Sequence, residues 1–133
     1  MGDLPFHGLD FHSVPSRDVE GDAADLVEVL GGRQVFAIKE GGTKVAMIAL
    51  AQGPPHLLLT DHLEGERPIL IYRVEHLKEV VARLEAADWV KGDVFEIPHG
   101  PCISFQTPGG HRLAVYQATR PDATSFFEGR HDF

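Results

Sequence analysis

One order of elements, a strand, an amphipathic helix and three more strands, occurs twice along this chain of 133 residues. In the first half, Leu9 to Val14 alternates with period two and reads as a half-buried strand. Pro15 ends it, and Ser16 or Asp18 can cap a helix in which Val19, Ala23, Leu26, Val27 and Leu30 recur at helical spacing. Asp and Glu crowd its first turns, where the helix dipole favours them, and Gly31-Gly32 supplies a left-handed cap. Arg33 to Lys39, Thr43 to Ala51 and His56 to Asp61 then read as strands, parted by Gly41-Gly42 and Gly53-Pro54-Pro55. After a polar link, Glu64 to Arg67, the order repeats. Pro68 to Val74 is a strand, and Leu77, Val80, Val81, Leu84 and Ala87 mark a helix. Strands follow near Val94 to Ile97, Pro101 to Gln106 and His111 to Gln117. The interval from His12 to Ile69 matches that from Leu58 to Ala114 to within one residue, which indicates a structural repeat despite slight identity between the halves.

Each half has one helix to cover one face of a four-stranded sheet, and the other face needs a partner. The expected fold is α+β, two βαβββ modules whose mixed sheets curl into an open cup. A ferredoxin-like domain would need βαββαβ order, which the strand count of each half opposes. The chain is too short for two independent domains, so residues 1–133 read as one, with modules at about residues 9–62 and 68–117 and a tail at 118–133. The tail carries Phe126, Phe127 and Phe133, too many aromatics for a free end, so it is expected to dock on the body or on a neighbouring subunit.

The last two strands, PCISFQTPGGHRLAVYQ, form a hairpin in which Pro108 presets the turn and Gly109 or Gly110 accepts positive φ. This hairpin, closing the second βαβββ module, resembles that of the vicinal oxygen chelate superfamily, the glyoxalase, bleomycin-resistance and extradiol-dioxygenase proteins. The turn of those proteins usually reads Asp-Pro-Asp-Gly. The resemblance covers about Leu9 to Gln117, and the ending Phe-Glu-Gly-Arg-His-Asp-Phe is similar to the tails of uncharacterised members. It implies metal ligands near the middle of the opening strand and on the closing strand of each half. In this chain those places hold His12, Leu58, Ile69 and Ala114. Only His12 has a lone pair to offer, and one ligand does not hold a catalytic ion against water. No metal and no cofactor are therefore expected.

Alternation places Asp10, His12, Val14, His56, Leu58 and Thr60 on the inner face of the first half, and Ile69, Ile71, Arg73, Cys102, Ser104, Gln106, Arg112, Ala114 and Tyr116 on that of the second. The opposite phase, from Leu9 and Phe11 to Leu113 and Val115, suits packing under the helices. The ligand-binding candidates are His12, His56, Arg73, Gln106, Arg112 and Tyr116, and the candidate bases are His12 and Asp10. Arg73 and Arg112 either hold a ligand carboxylate or phenolate or pair with carboxylates of the rim. Asp10, His12 and His56 either form a displaced metal site or are polar walls of a wet cavity. His99 and His111 fall at strand ends, and Cys102 reads as a buried small hydrophobe.

These features suit a metal-free protein that binds a small organic molecule, similar to the bleomycin-resistance branch. The alternatives are an enzyme, a lyase, isomerase or dioxygenase with a displaced metal or with His12 or Asp10 as base, and a structural or regulatory module with a vestigial cup. A formal charge of −8 disfavours nucleic acid and anionic membrane as partners. One cysteine makes no intramolecular disulfide, and the chain has no signal-like or membrane-spanning run, so a cytoplasmic protein is expected. A homodimer is expected because each sheet has a face that one small module does not bury alone.

Overall fold

In the computed structural model, which describes residues 6–62, 67–87 and 89–133, the repeated order is met twice. The first half has β1 (Phe6–Pro15), α1 (Val19–Glu28), β2 (Arg33–Glu40), β3 (Thr43–Ala49) and β4 (His56–Thr60). The second has β5 (Ile69–Val74), α2 (Leu77–Ala86), β6 (Val90–Ile97), β7 (Gly100–Gln106) and β8 (Arg112–Gln117), followed by a short helix, α3 (Ala123–Phe127). The expected link over Glu64 to Arg67 lies, but for Arg67, outside the described residues.

The chain divides into two compact units. Phe11–Pro68 and Thr124–Phe133 form one, here the α1 unit; Met1–Asp10 and Ile69–Ala123 form the other, the α2 unit. The boundary falls inside β1, between Asp10 and Phe11.

In the α1 unit the strand order is β2-β3-β4-β1. β1 runs parallel to β4, with Phe11 opposite His56 and His12 opposite Leu57. Asp18 caps α1 by accepting from the Gly21 amide at 3.0 Å, and Ser16 Oγ donates to Asp22 at 2.5 Å. At the other end, Gly31 takes φ 72° and the Gly32 amide bonds Leu26 O at 3.0 Å. That stop comes earlier than the apolar spacing suggests, so Leu30 lies past the helix and is 64 % exposed. Val19 and Ala23 carry the contact instead, packing with Ala37, Ala46, Ile48 and Leu59, and with Val14, Leu26, Leu57 and Phe133 around them.

In the α2 unit the order is β1-β5-β8-β7-β6. β5 and β8 are parallel, with Ile71 opposite Ala114 and Arg73 opposite Tyr116. Across the β7–β8 hairpin Cys102 faces Tyr116 and Gln106 faces Arg112. Its turn uses Gly110, at φ 88°, with the Gly110 amide on Thr107 O at 2.9 Å. Val74, Val80, Phe105 and Val115 form the core under α2, with Leu77, Leu84, Trp89 and Leu113 against it. This is the helix-side phase expected for Leu113 and Val115. Val94, by contrast, is 66 % exposed, because β6 is an edge strand that starts at Val90.

The tail docks on the body, as its aromatics require. Phe127 packs on Phe36 with ring centroids 5.7 Å apart, and His131 bridges Ala37 in parallel. Among the described residues no helix is long and apolar enough to cross a membrane.

Candidate functional site

Residues directly opposite on neighbouring strands point to the same side of a sheet. In the α2 unit this puts Ile71 and Arg73 with Ala114, Tyr116, Cys102 and Ser104 on the face away from α2. The alternation reading of this half holds.

On that face the structure brings together Asp10, Arg73 and Tyr116. Asp10 Oδ2 accepts from the Tyr116 hydroxyl at 2.6 Å and from Arg73 Nη1 at 3.1 Å. The Asp10 side chain is 14 % exposed and that of Arg73 is 43 % exposed. Tyr116 is buried, and its hydroxyl is held protonated: burial pushes its pKa up, and the bond to Asp10 and that carboxylate's charge push the same way. A half-buried carboxylate with two donors on one oxygen is a charge-assisted clamp. It fixes the guanidinium, whose five N–H donors exceed what this one bond uses.

Arg73 also lines an open cleft of about 430 Å³ with His7, Val74, Glu75, Gln117 and Ala118, at the carboxyl ends of β5 and β8. His7 Nε2 lies 3.8 Å from Glu75 Oε2. Gln117 Oε1 accepts from the Leu77 amide at 3.1 Å, completing the start of α2, where the N-cap residue His76 makes no side-chain cap. Gly8 lies beside the cluster: a Cβ there would sit 3.5 Å from Asp10 Oδ1 and 3.8 Å from Arg73 Nη2.

The other candidates of this half lie elsewhere. Gln106 and Arg112 face each other at the turn end of the hairpin, and Gln106 Nε2 is bonded to Gly110 O at 3.3 Å. They share a face with Tyr116 but stand four residues along β8 from it, roughly 13 Å at strand spacing. His111 is exposed at the same turn. His99 is buried, 5 % exposed, and burial drives its pKa down to about 4, so it is neutral at ordinary pH. Cys102 is wholly buried with its thiol pKa pushed up, first by burial and then by the charge of Glu96, which makes it inert rather than nucleophilic.

The α1 unit requires a correction. His12 was expected on one face with His56 and Leu58, but the β1–β4 ladder pairs it with Leu57, and pairs Phe11 with His56 and Ser13 with Leu58. Leu57 and Val14 pack against the α1 core, so His12 belongs to the α1 side. Phe11, Ser13, His56, Leu58 and Thr60 are on the other. The penalty for a histidine under a helix is avoided because His12 is only partly buried.

The displaced Asp10, His12, His56 site falls with this register. Asp10 is taken up by Arg73 and Tyr116, and the two histidines are on opposite sides of one ladder. Among the described residues no group of three His, Cys, Asp or Glu side chains converges as metal ligands would. Leu58, Ile69 and Ala114 are buried apolar residues at the places where the resemblance puts ligands. Among the described residues, the four ligand places offer one donor, His12, and do not fit a metal centre.

Sequence reasoning missed His7, Glu75 and Gln117 as cleft walls. They sit at or beyond strand ends, where alternation carries no information about direction.

No model of a protein family matches the sequence, and no curated protein matches it. Solved structures do. Methylmalonyl-CoA epimerase from Mycobacterium tuberculosis is similar over 92 % of this chain and 95 % of its own, at 16 % identity and a TM-score of 0.70. A glyoxalase/bleomycin resistance protein/dioxygenase superfamily member from Vibrio splendidus 12B01 is similar over 80 % and 96 %, at 16 % identity and a TM-score of 0.57. A V278E mutant of glyoxalase I from Zea mays is similar over 87 % of this chain and 44 % of its own, at 15 % identity and a TM-score of 0.62.

Proposed function

For a chain with the glyoxalase/bleomycin resistance/dioxygenase fold, that of the vicinal oxygen chelate superfamily, we propose that the α2 unit binds a small organic molecule through Arg73. The observation that carries this is the clamp: Asp10, itself held by the Tyr116 hydroxyl, holds one side of a guanidinium that is 43 % exposed and borders a cleft of about 430 Å³. A planar donor fork fixed from behind suits a ligand carboxylate or phenolate, and Ala118 offers apolar contact beside it. The ligand is bound without a resident metal, because Leu58, Ile69 and Ala114 supply no lone pair. The protein acts as a cytoplasmic homodimer, and light scattering that returns a monomer at micromolar concentration overturns the dimer.

The test is a calorimetric and thermal-shift screen of aryl and alkyl carboxylates against wild type, Arg73→Met and Gly8→Leu. Gly8→Leu places a branched chain over Asp10 Oδ1 and Arg73 Nη2 without removing a polar group. Hits that bind wild type and are lost in both variants support the site. Hits that bind both variants unchanged sink it.

One observation favours an enzyme instead. The bonds from Arg73 and Tyr116 both fall on Asp10 Oδ2, leaving Oδ1 toward Gly8 as a proton acceptor. On that reading the protein exchanges a carbon-bound proton of the bound carboxylate for solvent deuterium, and Asp10→Asn abolishes the exchange while binding persists. Absence of exchange in wild type with a bound ligand removes the enzyme reading.

A further inference from the structure

The C-terminal segment is attached to the rest of the α1 unit by backbone bonds and by aromatic contacts. Residues 129–132 run along the free edge of β2. The Gly129 amide donates to Val35 O at 2.9 Å, the Ala37 amide to Arg130 O at 2.8 Å, and the Asp132 amide to Ala37 O at 2.7 Å. The Lys39 amide donates to the Asp132 side chain at 2.9 Å. Strand edges present such rows of donors and acceptors, and an added strand satisfies them.

Aromatic anchors grip both sides of the edge. Phe127 stacks on Phe36, while Phe133 packs into the α1 core beside Ala37 and under Lys44, whose Nζ is 5.1 Å from the ring centroid. Phe36 and Ala37 are adjacent on β2, so their side chains leave opposite faces. The segment thus straddles the strand. Gly129, at φ 81°, makes the bend between the two anchors. Arg130 adds ion pairs to Glu40 at 3.1 Å and Asp132 at 2.8 Å, and Gln34 bonds His131 at 2.7 Å.

We infer that the edge of β2 is a strand-addition site for a peptide, and that Thr124–Phe133 is its ligand, able to dock without covalent attachment. The segment follows Ala123, the last residue of the α2 unit, and every contact named above is to the α1 unit. The tether raises its local concentration to roughly the millimolar range and keeps the site filled. Supplied by a second copy, the same contacts would join two chains by tail exchange.

The test uses a chain ending at Ala123 and a fluorescent peptide of residues 124–133. Saturable binding of one peptide per chain is expected, weakened about tenfold by Phe127→Ala or Phe133→Ala in the peptide. Phe126→Ala should bind as the parent does, because Phe126 is 78 % exposed. The full chain, its site filled, should bind none at the same concentration. A shortened chain with a native circular dichroism spectrum that binds no peptide, or binds a scrambled one equally, overturns the inference. So does a full chain that binds the peptide as well as the shortened one.

Should the shortened chain fail to fold, a protease site placed between the exposed Pro121 and Asp122 decides the matter in the full chain. The severed segment is expected to co-elute with the body on gel filtration under native conditions. Its elution apart from a folded body overturns the proposal.

Discussion

Tyr116 shows how one hydroxyl can position a neighbouring charge. It is 2 % exposed and donates to Asp10 Oδ2, the same oxygen that accepts from Arg73. Tyr116→Phe keeps the ring's packing and removes one charge-assisted bond, so a loss of about 1.5 kcal/mol is expected in urea denaturation. Arg73 then keeps its ion pair but gains freedom, and ligand affinity should fall with stability. His99 sets a pH dependence. Its folded pKa of about 4 lies below the ordinary 6.5 because burial penalises the imidazolium. Between these values the unfolded chain binds a proton that the folded chain refuses, so stability falls as pH drops from 6.5 toward 4. The loss is at most about 3 kcal/mol. Urea midpoints at pH 7 and pH 5 should differ for wild type and differ less for His99→Gln; equal slopes would remove His99 as the cause.

At the scale of elements, the β7–β8 hairpin is fixed by two glycines. Gly110 supplies the left-handed residue of its turn, and Gly100 lets the start of β7 pass the end of β8. A Cβ at Gly100 would lie 1.9 Å from Gln117 O, which is backbone and has no rotamer to yield. Gly100→Ala is therefore expected to cost about 3 kcal/mol. Gly53→Ala, with nothing within 4 Å, serves as the control and should leave the denaturation midpoint unchanged. The Pro-Gly-Gly punctuation made this hairpin legible in the sequence. The tail was legible only as three aromatics that needed cover; which strand they cover depends on the free edge of β2, and edges belong to the sheet and not to any one segment.

Across the whole molecule, the chain passes between its two units at Asp10–Phe11, Pro68–Ile69 and Ala123–Thr124. The first passage lies within β1, so one strand contributes residues to both units. A single cooperative thermal transition is expected, with the calorimetric enthalpy equal to the van't Hoff enthalpy. Two resolved transitions would instead mark the units as separate domains.

The sequence by itself determined the order of elements from β1 to β8, the caps of α1 and the period-two grouping within each strand, because these depend on neighbours within a few residues. It also determined that three of the four metal-ligand places are apolar. Register was left to the tertiary structure. Period two says which residues of one strand share a side, but it does not say which residue of the next strand stands opposite. That is why Arg73 and Tyr116 were correctly placed on one face while His12 and His56 were not: the β5–β8 ladder agrees with the assumed phase, and the β1–β4 ladder pairs His56 with Phe11 instead. The meeting of Asp10 with Arg73 and Tyr116, from strands far apart in the chain, was decided by folding alone.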